Sequence, residues 1–244
     1  MILEIIKNIL LKLVDIFYPP RCPVCDEIVV PKGDFVCDKC RNAFTRVGNI
    51  YCIVCGKPLK NESSVLCTRC NGKNHTFDEC RAAFIYDDVM RKSIYRFKYH
   101  RRCEYSKYYG REIVSIFKDK INQYNADAII AVPMYRKKQR QRGYNQAYLI
   151  AKEISHQTKI PILNNYIVRG RSTAVMRNLG AEERENNLKK AFKISSDVVK
   201  LTNVIIVDDI YTTGATMDAV ASCLKASGVK RVYGICLCAG RTGD

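Results

Sequence analysis

The sequence predicts an α/β fold, a mainly parallel sheet flanked by helices, with a small metal-stapled module at its amino-terminal side. Four Cys-x-x-Cys pairs at one constant spacing predict the module. Continuous apolar runs alternating with helix-period segments predict the sheet. The third observation is the stretch VIIVDDIYTTGATM (204–217). There a buried strand ends in two carboxylates and breaks at once into hydroxyls and a glycine.

Length and charge frame these elements. A chain of 244 residues, 47% of them apolar, can build one good-sized core and a small second module. The 41 Lys and Arg outnumber the 24 Asp and Glu, a net charge of +17. Between Arg91 and Arg142 fifteen basic residues stand against four acids, +11 in that window. Such a field attracts polyanions, either phosphates of small metabolites or a nucleic-acid backbone. A solvated basic face is the plainer reading.

Residues 1–20 open with MILEIIKNILLKLVDIF, whose polar positions 4, 8, 12 and 15 follow helical spacing. This predicts an amphipathic helix with a narrow polar stripe. Glu4, Lys7, Lys12 and Asp15 make it too charged for a membrane span, and no basic start or small-residue cleavage site marks a secretory signal. The chain therefore reads as cytoplasmic and not as an integral membrane protein. The helix is expected to pack on the rest of the chain; peripheral docking on a membrane or a partner is its alternative use.

The cysteine pairs are Cys22 and Cys25, Cys37 and Cys40, Cys52 and Cys55, Cys67 and Cys70, repeating every fifteen residues. Each knuckle points two thiolates at one centre, and two knuckles complete the tetrahedron that zinc prefers. Eight thiolates thus make two closed, structural zinc sites. Segment 21–80 has few large apolar residues and needs such staples. A reducing compartment disfavours disulfides. Sequential sharing, first pair with second and third with fourth, closes shorter loops than the competing interleaved arrangement. Cys223, Cys236 and Cys238 lie in apolar contexts and read as core.

Residues 81–244 read as the α/β domain, with the junction near 72–81. AAFIY (82–86) is expected as a strand, followed by basic helices near 88–97 and 105–120. ADAIIAVPM (126–134) is a run apolar beyond Asp127, as a buried parallel strand is, and Met134, Tyr135 and Arg136 are expected to begin a loop. GYNQAYLIAKEISHQT (143–158) puts Tyr144, Ala147, Ile150, Ala151 and Ile154 on one helical face. VIIVDD is the next strand, GATMDAVASCLKASG (214–228) a helix closed by Gly228, and RVYGICLC (231–238) the last strand.

Open parallel sheets bind ligands beyond the carboxyl ends of their strands. Asp208 and Asp209 lie at such an end, and Thr212, Thr213, Gly214, Ala215 and Thr216 turn into a helix amino terminus. Exposed N–H groups and the helix dipole there suit a phosphate monoester, about 7–8 Å from carboxylates that suit hydroxyls. A phosphorylated sugar meets both needs. An ordinary strand end capped by Asp and Thr is the plainer alternative.

VIIVDDIYTTGAT resembles the phosphoribosyl-pyrophosphate (PRPP) signature of type I phosphoribosyltransferases. AVPMYRKKQRQRGYNQA (131–147) is similar to the VP…R…RG(F/Y)NQA segment of ComF-type competence proteins. RSTAVMRNLGAEERENNLKKAF (171–192) is similar to their hood segment, and they too carry an amino-terminal double zinc ribbon. The resemblance covers nearly the whole chain and implies a type I phosphoribosyltransferase-like fold. It implies ribose hydroxyls on Asp208 and Asp209 and the 5′-phosphate on Thr212 to Thr216. Mg2+ is expected mostly on PRPP oxygens and water. Diphosphate is expected near Met134, Tyr135 and Arg136, with Arg171 and Arg184 closing over it. One departure bears on turnover: Met176 stands where the family pattern usually has Gln, three residues after Thr173.

Two functions of different class follow. One is a phosphoribosyltransferase with an unidentified acceptor. The other is a non-catalytic accessory that binds single-stranded DNA, its PRPP or nucleotide site serving as a sensor or remnant. The resemblance points to natural transformation, with cytoplasmic DNA-uptake or recombination proteins as partners. For DNA the cation candidates are Arg96, Lys98, Arg101, Arg102, Arg140 and Arg142. Phe97, Tyr99, Tyr105, Tyr108 and Tyr109 interleave with them as stacking rings, although such spacing also fits a core.

Overall fold

The structure is a computed structural model that describes residues 19–31, 33–170, 191–195 and 200–241. The amphipathic segment and most of the hood segment, with Arg171 and Arg184, lie outside the described residues. The regular elements run α1 (Thr68–Asn71), β1 (Glu79–Ile85), α2 (Asp88–Tyr99), α3 (Tyr105–Tyr124), β2 (Ala128–Ala131), α4 (Arg136–Arg142), α5 (Gln146–Thr158), β3 (Ile167–Arg169), β4 (Phe192–Ile194), β5 (Asn203–Tyr211), α6 (Ala215–Ala226) and β6 (Arg231–Ala239).

The unbroken apolar runs become strands covered on both faces. The main sheet has the order β1-β6-β5-β2 and is parallel throughout, while β3 and β4 form a separate antiparallel pair. Side chains alternate along β5 and β6. Ile205, Val207, Ile235 and Leu237 pack against α2, α3 and α5, together with the first cysteine cluster. Val204, Ile206, Val232 and Cys236 pack against α6 and the second cluster. Each buried aliphatic side chain contributes about 1.5–3 kcal/mol relative to exposure, so covering both faces dominates the stability.

The cysteine module straddles the sheet's edge. Residues 45–47 between its halves run antiparallel to β1, with Val47 N donating to Ala83 O at 3.0 Å and Ile85 N to Thr45 O at 2.8 Å. Further along, Cys80 N donates to Val54 O at 2.7 Å. An edge strand left open would template aggregation; here the module occupies it. β1 also starts earlier than the expected 82–86, because Glu79 to Arg81 already pair with Tyr233 to Ile235.

Two side chains expected to meet nucleic acid instead tie the first half of the module to the helices. Arg96 donates to the carbonyls of Pro23 and Val24 at 3.1 and 2.7 Å. Arg102 forks onto Asp26 at 2.8 and 3.1 Å, and the Tyr105 hydroxyl adds a bond to Asp26 at 2.6 Å. Tight turns around cysteine knuckles leave carbonyls that need donors, and Arg96 supplies them, while Arg102 pairs with the carboxylate of the same turn. The stacking-ring expectation is corrected as well: Phe97, Tyr105, Tyr108 and Tyr109 are all core residues. Tyr99 stays exposed, beside Tyr95.

The expected loop after β2 is mostly a helix. Residues 132–135 are irregular; Arg136 opens α4, whose RKKQRQR run consists of good helix formers. Gly143, left-handed at φ 92°, ends it. At Gly56, φ is 71° and an added Cβ would sit 2.7 Å from both Arg81 Cα and Cys80 O. Gly56→Ala is therefore expected to destabilise the protein by about 3 kcal/mol through strain and overlap. Chemical denaturation of the zinc-loaded protein checks this.

Candidate functional site

Two features require chemistry beyond packing: the sulfur clusters and the carboxyl end of the sheet. Cys22, Cys25, Cys37 and Cys40 form one cluster and Cys52, Cys55, Cys67 and Cys70 the other, their sulfurs all within 4.8 Å of one another. Sharing is thus sequential. A zinc tetrahedron with 2.3 Å bonds has sulfur–sulfur edges of about 3.8 Å. The structure gives 3.9 Å for Cys25 to Cys37 and 3.7 Å for Cys55 to Cys67. The residues fit two structural zinc ions. Unscreened, four thiolates at these distances would repel strongly.

The second feature follows from topology. β2 feeds α5 on one face of the sheet, whereas β5 feeds α6 on the other. Chains leaving adjacent strands in opposite directions open a crevice between them, the switch point at which such sheets bind ligands. Asp208 and Asp209 stand at the β5 side of this crevice. The Asp209 amide donates to Asp208 Oδ1 at 2.8 Å, turning that carboxylate back on its own strand.

After Tyr211 the chain breaks into the 212–216 turn. Thr212 and Thr213 are exposed, and Gly214 adopts φ 81°, which an L side chain would strain. Thr213 Oγ1 takes the Ala215 amide at 3.4 Å, but Gly214, the N-cap of α6, supplies no side-chain cap. The first-turn amides of α6 are therefore not capped from that position and form the positive end of the helix dipole.

Lys98 has a different partner from the one expected of it. Its Nζ lies 2.6 Å from Asp209 Oδ2, both side chains less than one-fifth exposed. Burial works against this ammonium most strongly, but the charge and hydrogen bond of Asp209 together with the charge of Asp208 outweigh it and hold the group above the usual lysine value. For Asp208, burial and then the neighbouring Asp209 push the carboxyl up to about 8, against the opposing pull of Lys98. The acids thus behave as one hydrogen-bonded pair with a resident cation. No local signal in the sequence joins residue 98 to residue 209; the sheet topology does.

Beyond β2 a cleft of about 770 Å³ opens between α4, α5 and the β3–β4 pair, lined in part by Pro133, Met134, Arg136, Arg140, Asn145 and Arg169. Asn145 shapes it. Its Oδ1 caps α5 through the Ala147 amide at 3.0 Å and its Nδ2 donates to Val132 O at 2.9 Å. Tyr135 is the N-cap of α4. Arg142 turns away to Gln146 Oε1 at 2.6 Å and lies over the Tyr99 ring at 5.1 Å. Arg101, Arg136 and Arg140 are exposed. Arg169 was not expected at all. Half-buried over Phe192, it feels desolvation first and then the charge of Asp208, which links the cleft to the acids.

Comparison with known proteins finds relatives of both modules. A double zinc ribbon family model matches residues 13–71 and a phosphoribosyl transferase family model matches residues 110–244. "Competence protein F" of Haemophilus influenzae is 29% identical over 221 residues, 88% of this chain and 95% of its own. "DNA utilization protein YhgH" of Escherichia coli K12 is 30% identical over 207 residues, 83% and 89% of the two chains. "Competence protein ComFC" of Bacillus subtilis is 25% identical over 209 residues, 79% of each. Fold and site define a phosphoribosyltransferase-like domain fused to a zinc module. The chain belongs to the ComF-type family of double-zinc-ribbon phosphoribosyltransferase-domain proteins.

The raised Asp208 value has a stability consequence. A carboxyl that titrates near 8 when folded and near 3.8 when unfolded gives the folded state an extra proton between those values. Stability from this group is complete below the lower value and is lost as pH rises through the upper one. Asp208→Asn removes that loss. The variant is expected to melt above wild type at pH 8 and to lose the advantage near pH 4, with about 2–4 °C for each kcal/mol. Calorimetric melts across pH check the sign.

Proposed function

We propose that this protein binds PRPP, with Mg2+, in the crevice at the carboxyl ends of β2 and β5, and serves in DNA uptake. The observation that carries the reading is the sequence of features at one strand end. Two carboxylates are followed within a few residues by a left-handed glycine that is the N-cap of a helix and brings no side chain to cap it. Ribose hydroxyls donate to Asp208 and Asp209, and the 5′-phosphate accepts from the turn amides and the hydroxyls of Thr212, Thr213 and Thr216. The diphosphate extends toward Met134, Tyr135 and Arg136, with Arg169 nearby and Arg171 and Arg184 as hood cations. Relatives named as competence and DNA utilization proteins support the DNA-uptake role; the proposed setting is the cytoplasm, with recombination proteins as partners. No helix among the described residues is long and apolar enough to cross a membrane.

In phosphoribosyl transfer the bond from the anomeric carbon to the diphosphate oxygen breaks as an acceptor nitrogen forms its own bond to that carbon. Mg2+, carried by diphosphate oxygens and water, would neutralise the departing charge. Asp208 and Asp209 orient the ribose, and the turn anchors the far end, which is positioning catalysis. Arg136, with the hood arginines, stabilises the negative leaving group.

Single-stranded DNA binding is the second reading, favoured by one observation. Tyr95 and Tyr99 are 55% and 59% exposed, their rings 5.0 Å apart, with Arg142 over the second. Arg101 and Arg140 remain as exposed cations. Stacking rings among cations suit unpaired bases.

Calorimetric titration of PRPP tests the first reading. Micromolar, Mg2+-strengthened binding is expected, and Asp208→Asn/Asp209→Asn should lose it. Absence of binding by folded, zinc-loaded wild type refutes the reading. For DNA, affinity for an oligothymidylate should fall steeply with salt. Tyr95→Ala/Tyr99→Ala should lose about 1–3 kcal/mol per stacked base; equal binding by this variant refutes stacking there.

A further inference from the structure

The 212–216 turn rests on the zinc module through one side chain. His75 lies five residues beyond Cys70, its side chain only 1% exposed. Its Nε2 is 3.4 Å from Cys70 Sγ and its Nδ1 is 2.8 Å from Asp218 Oδ2. Asp218, in the first turn of α6, is as deeply buried. Its other oxygen accepts the Thr76 amide at 2.7 Å, and Lys73 Nζ lies 3.9 Å from Oδ2. The Asp218 amide donates to Gly214 O at 2.8 Å.

Ring packing completes the contact. Phe77 stacks on His75 at 4.5 Å and meets Tyr211 edge-on at 6.3 Å. A Cβ at Gly214 would lie 3.0 Å from His75 Cε1 and would overlap the Tyr211 hydroxyl. The turn therefore lies against imidazole and phenol with no space between. The left-handed backbone at Gly214 is fixed from beneath.

Charge gives this arrangement its sense. A buried carboxylate beside a helix amino terminus would repel an arriving phosphate, and it is costly unless every oxygen is bonded. Each of its donors comes from residues 73–76, just after the last zinc ligand. Nδ1 must carry a proton to bond a carboxylate, so the donor direction runs from the zinc module to α6. Groups that orient metal ligands from outside the coordination sphere commonly bond in this way. Here the histidine bonds on its far side to the helix that starts the turn.

We propose that His75 is a positioning residue through which the second four-cysteine site holds the 212–216 turn in its binding conformation. Zinc at Cys52, Cys55, Cys67 and Cys70 then sets the affinity of the turn for phosphate monoesters without touching them. The ligand part of this inference rests on the phosphate reading of the turn; the positional part does not.

Amide hydrogen exchange on the full-length, zinc-loaded protein tests the positional part, and calorimetry with ribose 5-phosphate tests the ligand part. In His75→Ala, amides 212–218 are expected to exchange about tenfold faster, the factor of one charge-assisted hydrogen bond. Amides of β2 and β5, and two zinc ions per chain, should be unchanged. Ribose 5-phosphate should bind about tenfold more weakly. His75→Asn, whose amide can replace Nδ1 as donor to Asp218, should restore most of both. Unchanged exchange at 212–218 in a zinc-replete His75→Ala protein overturns the proposal. If that variant unfolds, Asp218→Asn decides: local loosening of the turn supports it, and wild-type exchange overturns it. Wild type that fails to bind ribose 5-phosphate, with the exchange pattern as expected, refutes the phosphate reading and leaves the positional role standing.

Discussion

Two sets of four thiolates, each drawn within 4.8 Å, are the constraint on which the other features depend. Thiolates this close are stabilised by a shared cation, and the two clusters fit two structural zinc ions. Once neutralised, the clusters make rigid knobs out of a segment with little apolar content. One knob completes the core on the α2–α3–α5 face and the other on the α6 face. The strand pairing between them closes the edge of β1. The zinc module is thereby part of the sheet's core, and its loss would expose an edge and two apolar faces together.

The ligand crevice inherits this dependence. α2 docks on the first zinc site through Arg96 and delivers Lys98 to Asp209. Segment 73–76 leaves the second zinc site and meets the amino terminus of α6 through Asp218. The acid pair lies on β5 and the 212–216 turn follows that strand directly, yet each is set by a different half of the module. Part of the basic excess is consumed inside the molecule in the same way, on carbonyls of the ribbon turns and on buried acids. Among the cations that stay exposed are Arg136, Lys137, Lys138 and Arg140 of α4, and Arg101.

Periodicity and spacing made much of this legible. The cysteine repeat predicts both clusters and their sequential sharing, because the shortest loops close first. The runs at 128–134, 204–207 and 232–238 are apolar without alternation, which only strands buried on both faces require. The Asp-Asp and Thr-Gly pattern is local, so its placement at a strand end needed no tertiary information. The errors arose where distant residues decide the outcome. The aromatic residues at 97, 105, 108 and 109 have the same spacing in a core as on a stacking surface, and Phe44 from the zinc module fills the space among them. The partners of Arg96, Arg102 and Lys98 lie at Pro23, Asp26 and Asp209, beyond any local pattern. Arg169 and His75 carry no motif, and only the assembled sheet brings them to the crevice.

The claim that the zinc module sets the ligand site is tested most directly by removing the metal. PRPP would be titrated into protein stripped by a chelator, then into the same sample after two equivalents of zinc are restored. The account predicts loss of binding on stripping and full recovery on reconstitution. Equal affinity in zinc-free protein would contradict it, for then the crevice would stand on the sheet alone.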